Sequence, residues 1–236
     1  MLRSRGFTLL EVLVAVAISA AVGIGAVQLL STVSGVNKSS IETSDEIAAL
    51  QRLNQVLGRD FGQYISRGIR NEYGDDAPAL MIGSGDYPLE MTIAGWRNNP
   101  VTDDPRSTLQ RVAYRSEEID TDACRPALER LAYSQGISPD DYQDEGECLV
   151  RYYWPMLDRG DDSEPRAQVL YDQIENVEFE LVVREEAAAG GFELDTVDFW
   201  PPVSMEDGGP LPVALLIRFT APGFGSIVRQ WPISYE

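Results

Sequence analysis

The strongest constraint on this chain lies at its amino end, where no charged residue occurs from Val12 to Leu30. Extended back to Phe7, the apolar run would measure about 36 Å as a helix, at ~1.5 Å per residue, which is enough to cross a bilayer. A secretory signal peptide is the competing reading, with Arg3 and Arg5 as its basic end and small residues around Ser19, Ala20 and Ala21 as a cleavage site. Two features favour a retained anchor. The run outlasts a signal-peptide core, and Glu11 stands at its start, where signal peptides carry no acid. Arg3 and Arg5 precede the run and the first basic residue beyond it is Lys38, so the amino terminus is expected in the cytoplasm and the remainder outside the inner membrane. Glu11 then needs an explanation, because a carboxylate in the hydrocarbon region costs about 2.5–3.5 kcal/mol on insertion scales. It either reaches the head groups or finds a cation.

Composition narrows the function classes. With 38 acidic against 19 basic residues the formal net charge is -19, which leaves no basic face for phosphate, so nucleic acid is not an expected partner. The 236 residues contain no histidine, removing the commonest general base, metal ligand and pH switch. Cys124 and Cys148 form no metal-ligand spacing. Outside the membrane an oxidised pair is the expectation, two buried thiols the alternative. The acidic stretch 138–147 lacks the glycine and glutamate positions of an EF-hand loop and reads as solvated, as do 98–105 and 158–165. No cofactor, metal or catalytic residue is expected, and paired acids such as Glu117 and Glu118 are chance neighbours in so acidic a chain.

The stretch GFTLLEVLVAVAI resembles the class III leader of type IV pilins and type II secretion pseudopilins: a short basic leader, glycine, an aromatic residue, and a glutamate fifth after the cut. The resemblance implies cleavage by a prepilin peptidase between Gly6 and Phe7, methylation of the Phe7 amine, and pairing of Glu11 with the amine of a neighbouring subunit. That supplies the missing counter-charge. Downstream, Arg59-Asp60, LVRYYWPMLDR at 149–159, LYDQIENVEFELV at 170–182 and PLPVALLIRFTAPGFGSIVRQWPI at 210–233 are similar to the J-type minor pseudopilins of type II secretion. This resemblance implies a structural subunit of the pseudopilus tip that is not an enzyme. Its implied partners are the I- and K-type minor pseudopilins and the pseudopilus, the prepilin peptidase, the inner-membrane assembly platform and the lipid bilayer. A minor pilin of a type IV pilus is the alternative, and a tethered hydrolase is the competitor from another class.

The implied fold is α+β and type IV pilin-like: a long amino-terminal helix, its first half spanning the membrane, packed on an antiparallel sheet domain. The expected segments are a cleaved leader at 1–6, a membrane and assembly helix at 7–30, its periplasmic continuation at 31–66, and a β-rich domain at 67–236. Thr43, Ile47, Leu50, Asn54, Leu57, Phe61 and Ile65 recur at three- and four-residue steps, predicting a helix to about Ile65 with that stripe facing the domain. Strands are predicted at 89–94, 109–115 and 148–154. The alternation of Val177, Phe179, Leu181 and Val183 predicts another, as does that of Val213, Leu215, Ile217 and Phe219, with a last strand near Ile227–Trp231.

Overall fold

A computed structural model describes residues 8–70, 73–94, 108–143, 145–160, 163–187, 190–202 and 209–234. Gly6, Phe7 and the 98–105 loop lie outside the described residues. The chain divides into two units, one running to Ala49 and one from Leu50 onward.

The first unit is helix. A single element, α1 (Leu9–Phe61), runs through it, and every side chain described from Thr8 to Ile47 is exposed. Up to Leu30 that surface carries no charge but Glu11, and this helix is long and apolar enough to cross a membrane. The hydroxyls of Ser31 and Thr32 donate to the Gln28 carbonyl at 3.0 and 2.9 Å, so neither is left without a partner in an apolar setting.

In the second unit the last turns of α1 bury Leu53, Leu57, Asp60 and Phe61. The expected stripe therefore needs correction. Leu57 and Phe61 face the core, but Asn54 is exposed and Leu53 takes the inward position. A helical face follows the side chains that exclude water best, and Leu53, Leu57 and Phe61 share one line of four-residue steps. The helix closes at Phe61, short of Ile65, through the Gly62 amide on the Gly58 carbonyl (3.1 Å) and a tighter last turn. The chain then swings onto the sheet, where the Ile65 amide donates to the Thr92 carbonyl at 3.0 Å.

The strands are β1 (Ile69–Arg70), β2 (Asp76–Ala77), β3 (Leu80–Ile82), β4 (Leu89–Ile93), β5 (Gln110–Glu118), β6 (Glu147–Trp154), β7 (Arg166–Glu186), β8 (Phe192–Val197), β9 (Leu211–Ala221) and β10 (Gly225–Pro232). Strands β1 and β2 pair with each other, and the main antiparallel sheet has the order β10-β9-β7-β6-β5-β4-β3, with β8 pairing the far end of β7. β4 is buried at all five residues, because the sheet is covered on both faces there. The α1 face carries the edge-to-face contacts of Phe61 with Tyr114 and Trp231, ring centres 5.7 and 5.2 Å apart.

On the other face α2 (Arg125–Gln135), for which the sequence pattern predicts no element, packs over β6 and β7. Pro126 opens it, and Gly136 closes it at φ 71°, a left-handed position that glycine takes at little cost. Ala127 and Ala132 are buried along it, and Ala127 packs with Ile119, Val150 and the two cysteines while the half-buried Leu128 and Leu131 pack against that cluster. β7 bends at Asn176, whose φ of 52° breaks the β9 register between Glu175 and Glu178. The bend lets one strand serve two pairings: Arg166–Ile174 lies along β6, and Glu175–Arg184 lies along β9.

Candidate assembly site

At the start of α1 the residues Thr8 to Glu11 form a reciprocal cap. The Thr8 amide and hydroxyl donate to Glu11 Oε2 at 3.0 and 3.2 Å, and the Glu11 amide donates to Thr8 Oγ1 at 3.3 Å. A T-x-x-E capping box satisfies helix amides that have no partner inside the helix, and the carboxylate sits favourably at the positive end of the helix dipole. The signal is present in the Thr8-Leu9-Leu10-Glu11 spacing, but neither expectation for Glu11, the head groups or an intermolecular cation, included this cap. Capping uses one carboxylate oxygen; no hydrogen bond within the described residues engages Oε1. The group is exposed and held at the helix end.

A buried ionic cluster anchors the other end of α1 to the sheet. Asp60 is fully buried and accepts from three groups: Arg59 Nε at 3.0 Å on Oδ1, and the Tyr114 hydroxyl (2.6 Å) and Arg151 Nε on Oδ2. Arg151 also donates to Gln110 Oε1 at 3.3 Å. Arg59, Asp60, Gln110 and Arg151 line a cavity of about 90 Å³ with Gln63 and Ile93. A buried ion pair is tolerated only when its remaining hydrogen-bonding capacity is met, and here both carboxylate oxygens are engaged. Burial, then the Asp60 charge, pushes the Tyr114 hydroxyl well above its ordinary value, keeping it a neutral donor. The Arg59-Asp60 pair was visible in the sequence, but the two strand residues that complete the cluster were not.

A second cluster ties β3, β4 and β5 together. Arg111, buried in β5, donates through Nε to Glu90 at 2.7 Å and through Nη1 to the Ala79 carbonyl and Thr92 hydroxyl, each at 3.0 Å. Arg159 also donates to Glu90, and its guanidinium stacks 3.7 Å from the Trp154 ring centre. Burial pulls the Arg111 guanidinium below its ordinary value, and Glu90 opposes that shift. On the same face Tyr152 donates to Glu117 at 2.6 Å, and burial, then this bond, raises its hydroxyl. Cys124 and Cys148 are joined as a disulfide that pins the start of α2 to β6. Among the described residues no group of three or more acidic, cysteine or histidine side chains is arranged to hold a metal.

The ionic groups of both buried clusters are thus engaged structurally. A family model described as "Type II secretion system (T2SS), protein J" matches residues 28–141 and 139–233, and one for the "Prokaryotic N-terminal methylation motif" matches residues 1–27. The chain is similar to the "Type II secretion system protein J" of Escherichia coli, 35% identical over 138 residues, covering 56% of this chain and 66% of the relative. Its counterpart from Klebsiella pneumoniae is 36% identical over 134 residues, covering 56% and 64%. The matched stretch therefore spans just under two thirds of these relatives' length. Among solved structures, a chain of the "GspK-GspI-GspJ complex from enterotoxigenic Escherichia coli Type 2 Secretion System" matches with a TM-score of 0.52 at 20% identity, covering 81% of this chain and 99% of that one. At that identity the likeness shows the fold, a long amino-terminal helix packed on antiparallel sheet as in type IV pilin-like proteins.

Proposed function

Because the chain belongs to the type II secretion system protein J family, we propose that it works as a minor pseudopilin, a structural subunit of the pseudopilus tip that helps initiate assembly. The observation that carries this reading is the exposed apolar helix in which Glu11 is the single charge before Lys38, a capped carboxylate with one oxygen to spare. In this account prepilin peptidase cuts between Gly6 and Phe7, the new amine at Phe7 is methylated, and Glu11 meets the corresponding amine of a neighbouring subunit. A cation at that distance removes most of the cost of holding the carboxylate in lipid. Residues 7–30 then form the inner-membrane helix, with the amino terminus cytoplasmic and the Leu50 to Glu236 unit periplasmic, where a disulfide is stable.

The family is one of structural pseudopilins and is not known as enzymes. The partners in this account are the I- and K-type minor pseudopilins, the peptidase, the assembly platform and the bilayer. The solved complex of related chains, which joins K, I and J types, supports the choice of partners. The test is co-expression of the full chain with I- and K-type subunits and capture in detergent through a tag on this chain. Stable co-purification of both is expected; retention of neither contradicts the assignment.

A further inference from the structure

The far end of β7 and the whole of β8 form a ribbon whose composition does not suit water. All of β8 from Phe192 to Thr196 is exposed, although Phe192 and Leu194 are large and apolar, with 71% and 66% of their surface accessible. In the register, Leu194 and Leu211 flank Arg184 on its two sides, and Leu211 is 41% exposed. Phe192 stacks 4.6 Å from the Arg184 guanidinium, so the ribbon's one cation is already occupied. The opposite sign dominates around it: Glu185, Glu186, Glu193 and Asp195. Among the described residues β8 pairs only with β7, which leaves its second edge of amides and carbonyls without a strand.

β8 is held to the sheet by β7 alone among the described residues, and an open edge beside exposed apolar side chains is a template for a further strand. Soluble surfaces that keep such a patch use it. The charges select the occupant. An antiparallel second copy centred on Leu194 would set Glu193 against Asp195 across the new ladder, and like charges placed directly opposite destabilise it. A strand with basic residues at those positions gains the same interaction with favourable sign.

We propose that the free edge of β8 accepts an extended segment of another pseudopilin's globular domain. In that segment, apolar side chains covering Phe192 and Leu194 alternate with Lys or Arg facing Glu193 and Asp195. This rests on the assembly reading above, and it names the surface through which that assembly is made.

Two variants of the full chain, co-expressed with I- and K-type subunits, test it: Phe192→Thr with Leu194→Thr, and Glu193→Lys with Asp195→Lys. Each is expected to retain partner about tenfold less well than wild type, with an unchanged melting temperature, as for loss of a central interface contact. If the apolar pair melts early, the charge pair, which leaves Phe192 and Leu194 in place, still decides. Wild-type retention in both overturns the β8 surface and leaves the assembly reading standing, whereas failure of wild type to capture either partner overturns the assembly reading itself. As a direct probe, a synthetic peptide alternating valine and lysine should bind wild type about tenfold better than one alternating valine and glutamate. The lysine variant should reverse that preference. Equal binding of both peptides to wild type overturns the proposal, as does formation of a β8-dependent homodimer.

Discussion

Removing Asp60 is the sharpest perturbation available inside the fold. Asp60→Ala would leave Arg151, which is 3% exposed, charged and unpaired against the core, and would take the acceptor from the Tyr114 hydroxyl. Stripping one partner from a buried ion pair costs about 3–5 kcal/mol, and an orphaned hydroxyl adds about 1 kcal/mol. Arg59, with its side chain 55% exposed, rehydrates and contributes little. The expected loss is about 4–6 kcal/mol, comparable to the whole stability of a marginal domain at ~5 kcal/mol. Arg151→Met in the same background removes the orphaned charge, so the double variant should recover about 2–3 kcal/mol of that loss. Denaturant unfolding of the full chain in detergent, followed by tryptophan fluorescence, measures all four corners of the cycle. A cost below about 1 kcal/mol for Asp60→Ala, or additive costs in the double variant, would refute the idea that this cluster clamps the helix to the sheet.

Three other outcomes are expected. Replacing Cys124 and Cys148 by serine should cost about 3–4 kcal/mol, from a bridge across a sequence separation of 24 residues. Hydrogen exchange should then rise first in α2, and alkylation of both thiols in unreduced wild type would show that no bridge forms. Tyr114 and Tyr152 have folded values raised above the unfolded value of 10.0, so the stability they lend is complete below that pH and is lost as pH climbs through the raised values. Absorbance titration at alkaline pH should find both among the last tyrosines to ionise, and Tyr114→Phe should flatten the alkaline fall in stability; ionisation of all ten tyrosines near 10 would contradict this. Glu11→Ala should leave leader cleavage intact and impair incorporation into pseudopili, scored by cross-linking to neighbouring subunits, and normal incorporation would remove the intermolecular role.

Much of the fold was legible where burial is one-sided or continuous. The alternations around Leu215 and through Leu89, Met91 and Ile93 produced strands near their expected bounds, and that around Leu181 fell inside the much longer β7, because a side-chain period of two reports directly on a sheet face. The α2 helix escaped because only two alanines on it are fully buried and its leucines, Leu128 and Leu131, are only half-buried, so its apolar face is short. β8 escaped for the opposite reason: exposed on both faces, it carries no burial pattern to read. At the candidate site, Glu11 was recognisable from its isolation in an apolar run, and its Thr8 cap from local spacing. The partners of Asp60 were beyond reach, since Tyr114 and Arg151 lie 54 and 91 residues away and only the sheet register brings them together.

The account depends most on a helix that is trimmed at its start and then kept. An intact-mass spectrum of the protein from a membrane fraction of cells with an active prepilin peptidase tests this directly. The expected result is an amino terminus at Phe7 carrying one added methyl group, with the Cys124–Cys148 bridge closed. A mature chain that begins beyond Ala20 and is recovered free of the membrane would contradict it.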